Sequence, residues 1–157
     1  LAIRDATVAD TPFIFDAWAN SNMPDRIRDD SGRRRKYHRT IRERISMLRL
    51  TGQTIVAVDI QDTTQIFGFL CYVESDVPVV HYVYVKKPFR HQGVARTLLA
   101  AAGGGAHKVL LATHWTPTLW ALMVCHPGKI CYIGTDVPDM MIDAKTDDTV
   151  VLGVSHA

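Results

Sequence analysis

The spacing of apolar residues divides the chain into stretches of two different periods. From Leu1 to Thr7 apolar and polar residues alternate, as in a short strand with one buried face. Asp10-Thr11-Pro12 is a helix-start signal, and Phe13, Ile14, Ala17 and Trp18 behind it share one helical face. Met23 to Gly32 is polar and punctuated by Pro24, Ser31 and Gly32, so it reads as a loop. Tyr37, Ile41, Ile45 and Leu48 then recur every three or four residues while Arg39, Arg42, Arg44 and Arg49 take other faces. That pattern predicts an amphipathic, arginine-coated helix ended by Thr51-Gly52.

Three runs rich in β-branched and aromatic residues follow, Thr54 to Ile60, Gln65 to Glu74 and Val79 to Val85. The short polar connections between them predict an antiparallel meander. After Pro88 the helical period returns from Gly93 to about Ala102, and Gly103-Gly104-Gly105 ends it, each glycine costing roughly 0.5–1 kcal/mol relative to alanine inside a helix. Lys108 to Thr113 reads as a short buried strand. Thr116-Pro117 opens a last helix carrying Leu119, Trp120, Leu122 and Met123, which stops at His126-Pro127-Gly128. Ile130 to Ile133 and Thr149 to Val154 read as closing strands. The resulting order, β-α-α-β-β-β-α-β-α-β-β, has no repeat or linker to divide it and predicts one α/β (α+β) domain over residues 1–157.

With 157 residues, 47% hydrophobic and 22% charged, the composition is that of a soluble globular domain, and a chain of this length buries about two-thirds of its unfolded surface. No apolar run reaches the roughly 18 residues a membrane span needs, and no basic-then-apolar leader is present, so the protein reads as soluble, without a membrane partner. Cys71, Cys125 and Cys131 show neither CxxC spacing nor a zinc pattern with histidine, which predicts no metal and a reducing, cytoplasmic compartment. The net charge of +2 conceals an asymmetry. Ten basic residues between Arg26 and Arg49 face only Asp29, Asp30 and Glu43, a local net of +7, whereas Asp136 to Asp148 carries five aspartates against Lys145.

The stretch richest in chemistry runs from Tyr82 to Leu99, where a strand passes through Arg90-His91-Gln92-Gly93-Val94-Ala95-Arg96 into an apolar helix. Such a junction leaves the first amide donors of the helix pointing outward, and the helix dipole adds about half a positive charge there. Gly93 and Ala95 permit close approach to the backbone, and Arg90 and Arg96 can supply charge-assisted hydrogen bonds. A pyrophosphate-bearing cofactor suits this site. The loop has neither the Gly-Lys-Ser/Thr ending of a nucleotide-triphosphate loop nor the glycines of a dinucleotide fingerprint.

Arg90-x-x-Gly93-x-Ala95, following Val83-Tyr84-Val85, resembles the acetyl-coenzyme A loop of the GNAT (Gcn5-related N-acetyltransferase) superfamily, and the predicted element order resembles the family's over almost the whole chain. The resemblance implies a mixed, mostly antiparallel central sheet and an acyl-coenzyme A donor whose acyl group passes to an amine by direct attack. It also implies that exposed amides at Val83-Tyr84-Val85 hold the pantetheine arm and that the loop from Arg90 to Arg96 holds the pyrophosphate.

Direct transfer needs a base for the acceptor amine and an acid for the departing thiolate. Side chains alternate along a strand, so Val79, His81, Val83 and Val85 share a face, which makes His81 the candidate base; the alternative is a half-buried strand histidine satisfied by a neighbour. Glu74 and Asp76 are second choices acting through water. Where the family often places a tyrosine acid, this chain has Cys125, a candidate acid or a small core residue, and Thr118 stands where the family has asparagine; Tyr132 is a spare candidate. Trp18, Trp115 and Trp120 read as core or groove-lining residues, and His114 as a strand-end residue near the cleft. Arg33, Arg34, Arg35, Lys36 and Tyr37, with His38, could contact phosphates and stack on bases, which implies a nucleic acid or other polyanionic acceptor. An acidic protein is the alternative partner, including Asp136 to Asp148 of a second copy in a homo-oligomer. A competing function is a catalytically inactive protein of this fold that contacts nucleic acid through Arg26 to Arg49.

Overall fold

Regular alternation along one strand sets the plan of the core. In β2 (Gln53–Val58), Val56 and Val58 join one buried cluster while Ile55 and Ala57 join another, so the sheet is covered on both faces. The computed structural model describes residues 1–103, 109–114, 116–125 and 128–134. Among these, β1 (Ala2–Asp5), β2, β3 (Ile66–Val73), β4 (Val79–Val85), β5 (Leu110–Ala112) and β6 (Ile130–Tyr132) form one sheet in sequence order. β1 to β4 pair antiparallel, and β4, β5 and β6 pair parallel. The change of sense follows from the helices α4 (Val94–Ala101) and α5 (Pro117–Cys125), which carry the chain back between successive strands. The predicted strand Thr149 to Val154 and the acidic segment Asp136 to Asp148 lie outside the described residues.

On one face, α1 (Thr11–Ser21) and α3 (Ser31–Thr51) bury Ile14, Trp18 and Ile45 against Val56, Phe69 and Tyr82. On the other, Leu98 and Leu99 of α4 and Leu119 of α5 pack on Leu70, Val83 and Val85. Each such side chain contributes about 1.5–3 kcal/mol when taken fully out of water. The start of α1 is fixed by a polar junction: Arg4 donates twice to the buried Asp10 carboxylate, at 2.7 and 2.9 Å, and Asp10 also accepts from the Thr7 amide.

The stretch Met23 to Gly32 differs from the predicted loop. It contains a helical turn, α2 (Asp25–Arg28), and α3 begins at Ser31 because the Asp30 side chain accepts from the Arg33 amide at 2.9 Å, an N-cap ahead of the apolar repeat. Arg28 closes α2 with an ion pair to Asp25 at 2.7 Å.

A register shift departs further from the regular pattern. Cys71 faces Tyr82 and Tyr72 faces Val80, which leaves His81 as an extra residue on β4, a β-bulge. Val80, Val83 and Val85 all join the α4-side cluster as a result, while Tyr82 lies on the α1 side. The expectation that Val79, His81, Val83 and Val85 share one face is therefore overturned.

Candidate functional site

β4 and β5 stay paired for only two residues, Val79 with Leu111 and Val80 with Ala112, and then part, while β3 follows β4 to its end. The ladder fixes where the freed groups point. The Lys86 amide donates to the Phe67 carbonyl at 2.8 Å, so in antiparallel alternation Tyr84 bonds Phe69, and Val83 and Val85 turn their N–H and C=O groups away from β3 toward the parted side. Their side chains stay in the core, so the strand offers the cleft its backbone. Tyr84 differs from its neighbours and from the prediction for it. Its backbone belongs to the β3 ladder, and its ring lies on the α1 side, 5.7 Å from Phe69 and 6.2 Å from Phe13.

A 3-10 turn, Lys87–Phe89, leads from β4 into the loop. His91 has φ 63°, and Gly93, the residue ahead of α4, has φ 80°. A Cβ built on Gly93 would meet nothing within 4 Å, so the left-handed backbone there faces open space. No side chain caps α4, and the amides of Val94, Ala95 and Arg96 remain directed out of its first turn. His91, Gln92 and Arg96 are exposed. The Gln92 side chain donates to the Pro88 carbonyl at 3.0 Å, which braces the loop. Arg90 Nε donates to the Val85 carbonyl at 3.1 Å, so this arginine ties the loop to the strand end in addition to lending it charge. Open space at a left-handed glycine, uncapped helix amides, two exposed arginines and outward strand amides together fit a pyrophosphate with a polar amide-bearing arm.

His81 lies where the strands part. Its Nδ1 is 2.9 Å from Thr113 Oγ1, and burial pushes the imidazole below its ordinary pKa, toward the neutral form. Thr113 Oγ1 is also 2.8 Å from His114 Nδ1, and the two rings are 6.4 Å apart. The signal for Thr113 in the sequence was only its place at the end of a predicted strand. Among the described residues no cluster of histidine, cysteine and carboxylate suits a metal ion.

The remaining candidates are dispersed. Glu74 is exposed just beyond β3 and accepts from Gln53 Nε2 at 3.0 Å, and Asp76 is exposed in the following turn. Cys125 is exposed at the end of α5, which overturns its reading as a core residue. Trp18 is buried as expected, Trp120 is 55% exposed, and Trp115 lies outside the described residues. Tyr132, on β6, is partly buried.

The basic segment also divides on folding. Tyr37 is not offered for stacking: its hydroxyl donates to the Ala19 carbonyl at 2.9 Å and burial pushes its pKa up to about 12. Arg49 turns inward to Thr11 Oγ1 at 3.1 Å, and Arg33 pairs with Asp30 at 3.2 Å. Arg34 reaches the Arg28 carbonyl at 3.5 Å. Arg35, Lys36, Arg39 and Arg42 are exposed on α3 and make no ion pair among the described residues. A cavity of about 410 Å³ lined by Thr11, Phe15, Ser46, Arg49 and Thr54 is separate from the β4–β5 cleft.

Residues 15–108 match the model of the acetyltransferase (GNAT) family. Among solved structures, one described as histone acetyltransferase HPA2 and related acetyltransferase from Corynebacterium glutamicum is 16% identical, covers 79% of this chain and 82% of its own, and superposes with a TM-score of 0.53. A ribosomal-protein-alanine N-acetyltransferase from Brucella melitensis biovar Abortus is 14% identical over 87% of this chain and 97% of its own, also with a TM-score of 0.53. At these identities the likeness is one of fold. No curated protein sequence matches the chain.

Proposed function

The chain belongs to the GNAT acetyltransferase family, and we propose that it acts as a single acyl-coenzyme A-binding domain that transfers an acetyl group from acetyl-coenzyme A to an amine by direct attack. The observation that carries this reading is the parting of β4 from β5 after Val80, with the Val83 and Val85 backbone turned to the opening and α4 starting at Gly93 beyond it. Acetyl-coenzyme A, when bound, supplies the activated acyl group. The amides of Val83 and Val85 orient its arm, and those from His91 to Arg96 hold its pyrophosphate, with Arg96 and the free part of the Arg90 guanidinium adding positive charge. His81 acts as the base. With Nδ1 engaged by Thr113, Nε2 is the atom that takes a proton from the amine, and burial keeps the ring neutral at pH 7. Cys125 is the candidate acid, and Glu74 a reserve base acting through water.

Thermal unfolding with acetyl-coenzyme A tests the cofactor half: about 2.7 kcal/mol of stabilisation is expected at a hundredfold excess over Kd, and no shift with any acyl-coenzyme A refutes it. His81→Ala should abolish transfer while leaving that shift intact.

Arg35, Lys36, Arg39 and Arg42, exposed on α3 and without an ion pair among the described residues, support a second reading, in which this face contacts nucleic acid, as the acceptor or as the whole function of an inactive protein. Retention on RNA should then be salt-sensitive, and Arg35→Ala, Lys36→Ala and Arg39→Ala together should lower its salt slope by roughly three. Salt-independent retention refutes it and leaves an acidic protein, or a second copy of this chain, as the partner.

A further inference from the structure

Thr113 Oγ1 lies within hydrogen-bond distance of two imidazole nitrogens, His81 Nδ1 at 2.9 Å and His114 Nδ1 at 2.8 Å. A hydroxyl has one proton to donate and lone pairs to accept with. It can donate to only one of the two rings, so the bond to the other forms only if that ring carries its proton on Nδ1. Two neutral histidines joined in this way cannot both be in the Nε2–H form, and at least one of them carries its proton on Nδ1. The rings are 6.4 Å apart and nearly perpendicular, at 84°, and the hydroxyl bridges their two Nδ1 atoms. The link is held from both sides. The Thr113 amide donates to the Val80 carbonyl at 3.0 Å, next to the bulged His81, and the His114 ring stands perpendicular to Trp18, 6.2 Å away and 1% exposed.

We propose that Thr113 and His114 are positioning residues that lock the tautomer of His81. Resting on the reading of His81 as base, the competent arrangement has His81 Nδ1–H donating to Thr113 Oγ1 and the Thr113 hydroxyl donating to His114 Nδ1. The lone pair of His81 is then on Nε2, the one ring nitrogen not engaged by Thr113. The opposite arrangement places a proton on Nε2 and removes the base. When Nε2 takes up a proton, the His81 Nδ1–H bond to Thr113 persists and no hydroxyl need rotate, so the site reacts without reorganising its hydrogen bonds.

The lock is read directly by long-range proton–nitrogen NMR of the histidine-labelled full chain, free of ligands, at pH 7.5. His81 is expected protonated on Nδ1 and His114 on Nε2. Thr113→Val keeps the branched shape but removes the hydroxyl, and should return His81 to the Nε2–H form that an unconstrained imidazole favours. Thr113→Ser should restore the locked form, which separates the effect from a packing change. Both histidines in the Nε2–H form in the parent protein, or a His81 tautomer unmoved by Thr113→Val, overturns the proposal. A lock that is present in a chain showing no acetyl-coenzyme A thermal shift supports the lock and refutes the transfer reading separately.

Discussion

Gly93→Ala isolates the cofactor loop from the rest of the fold. At φ 80° an alanine costs about 1–2 kcal/mol in backbone strain. Its methyl group would meet no protein atom within 4 Å, so no packing penalty adds to that figure. For a domain of this size the loss should lower Tm by roughly 2–8 °C, with α4 still anchored by Val94, Leu98 and Leu99. The second effect is larger for function. The space outside Gly93 is where a phosphate would meet the amides of α4, and a methyl group there holds it off. If the substitution weakens binding tenfold, a cofactor concentration of a hundred Kd for the parent protein becomes ten for the variant, and the stabilisation falls from about 2.7 to about 1.4 kcal/mol. Differential scanning fluorimetry with and without acetyl-coenzyme A separates the two, because strain lowers both curves while lost binding narrows the gap between them. An unchanged gap would show that the loop does not carry the pyrophosphate, even if the variant is less stable.

Gly68→Ala places a Cβ against the Tyr84 carbonyl oxygen and 3.2 Å from the Val85 Cα. It should cost about 1–3 kcal/mol in urea denaturation, because β3 and β4 must separate at the Val85 end of β4. Asp10, held at about 2 by the Arg4 guanidinium against the opposing effect of burial, has its native pKa below the unfolded value. Its contribution of about 2 kcal/mol is present above pH 4 and lost as the pH falls toward 2, and Arg4→Met should flatten that acid limb in denaturant titrations between pH 5 and 2. Burial shifts His81 the other way in charge: its native pKa lies below 6.5, so the unfolded chain takes up the proton first and stability falls as the pH drops through that value. In acetyl transfer the acid limb of kcat/KM should lie below pH 6.5, and a limb above it would contradict a buried histidine base.

The readable parts of the molecule were those set by local chemistry. β4 was visible from Val79 to Val85 because β-branched and aromatic residues fill it on either side of His81, and the strand-to-helix loop was visible because Gly93 stands between the end of the apolar strand and the start of the apolar helix. The parts that were not readable depend on pairing between distant segments. Alternation counted along β4 assumes a regular pleat, and nothing within the strand announces that Cys71 and Tyr72 will face Tyr82 and Val80 and leave His81 unpaired. Thr113 comes beside His81 only because β5 pairs in parallel with the first two residues of β4, a contact between residues 32 apart in the chain. Tyr37 looked like a stacking ring because its neighbours are basic, and it became a tie between α3 and α1 once the Ala19 carbonyl came within reach. These reassignments follow one physical pattern. A hydroxyl or an imidazole changes role when folding supplies a partner of complementary hydrogen-bonding capacity, and the residues near the site that the sequence misplaced are mostly of that kind. Backbone amides, which take their direction from the strand and helix they belong to, were the groups of the cleft the sequence could place, and that is why the strand-to-helix loop was legible before the side chains around His81.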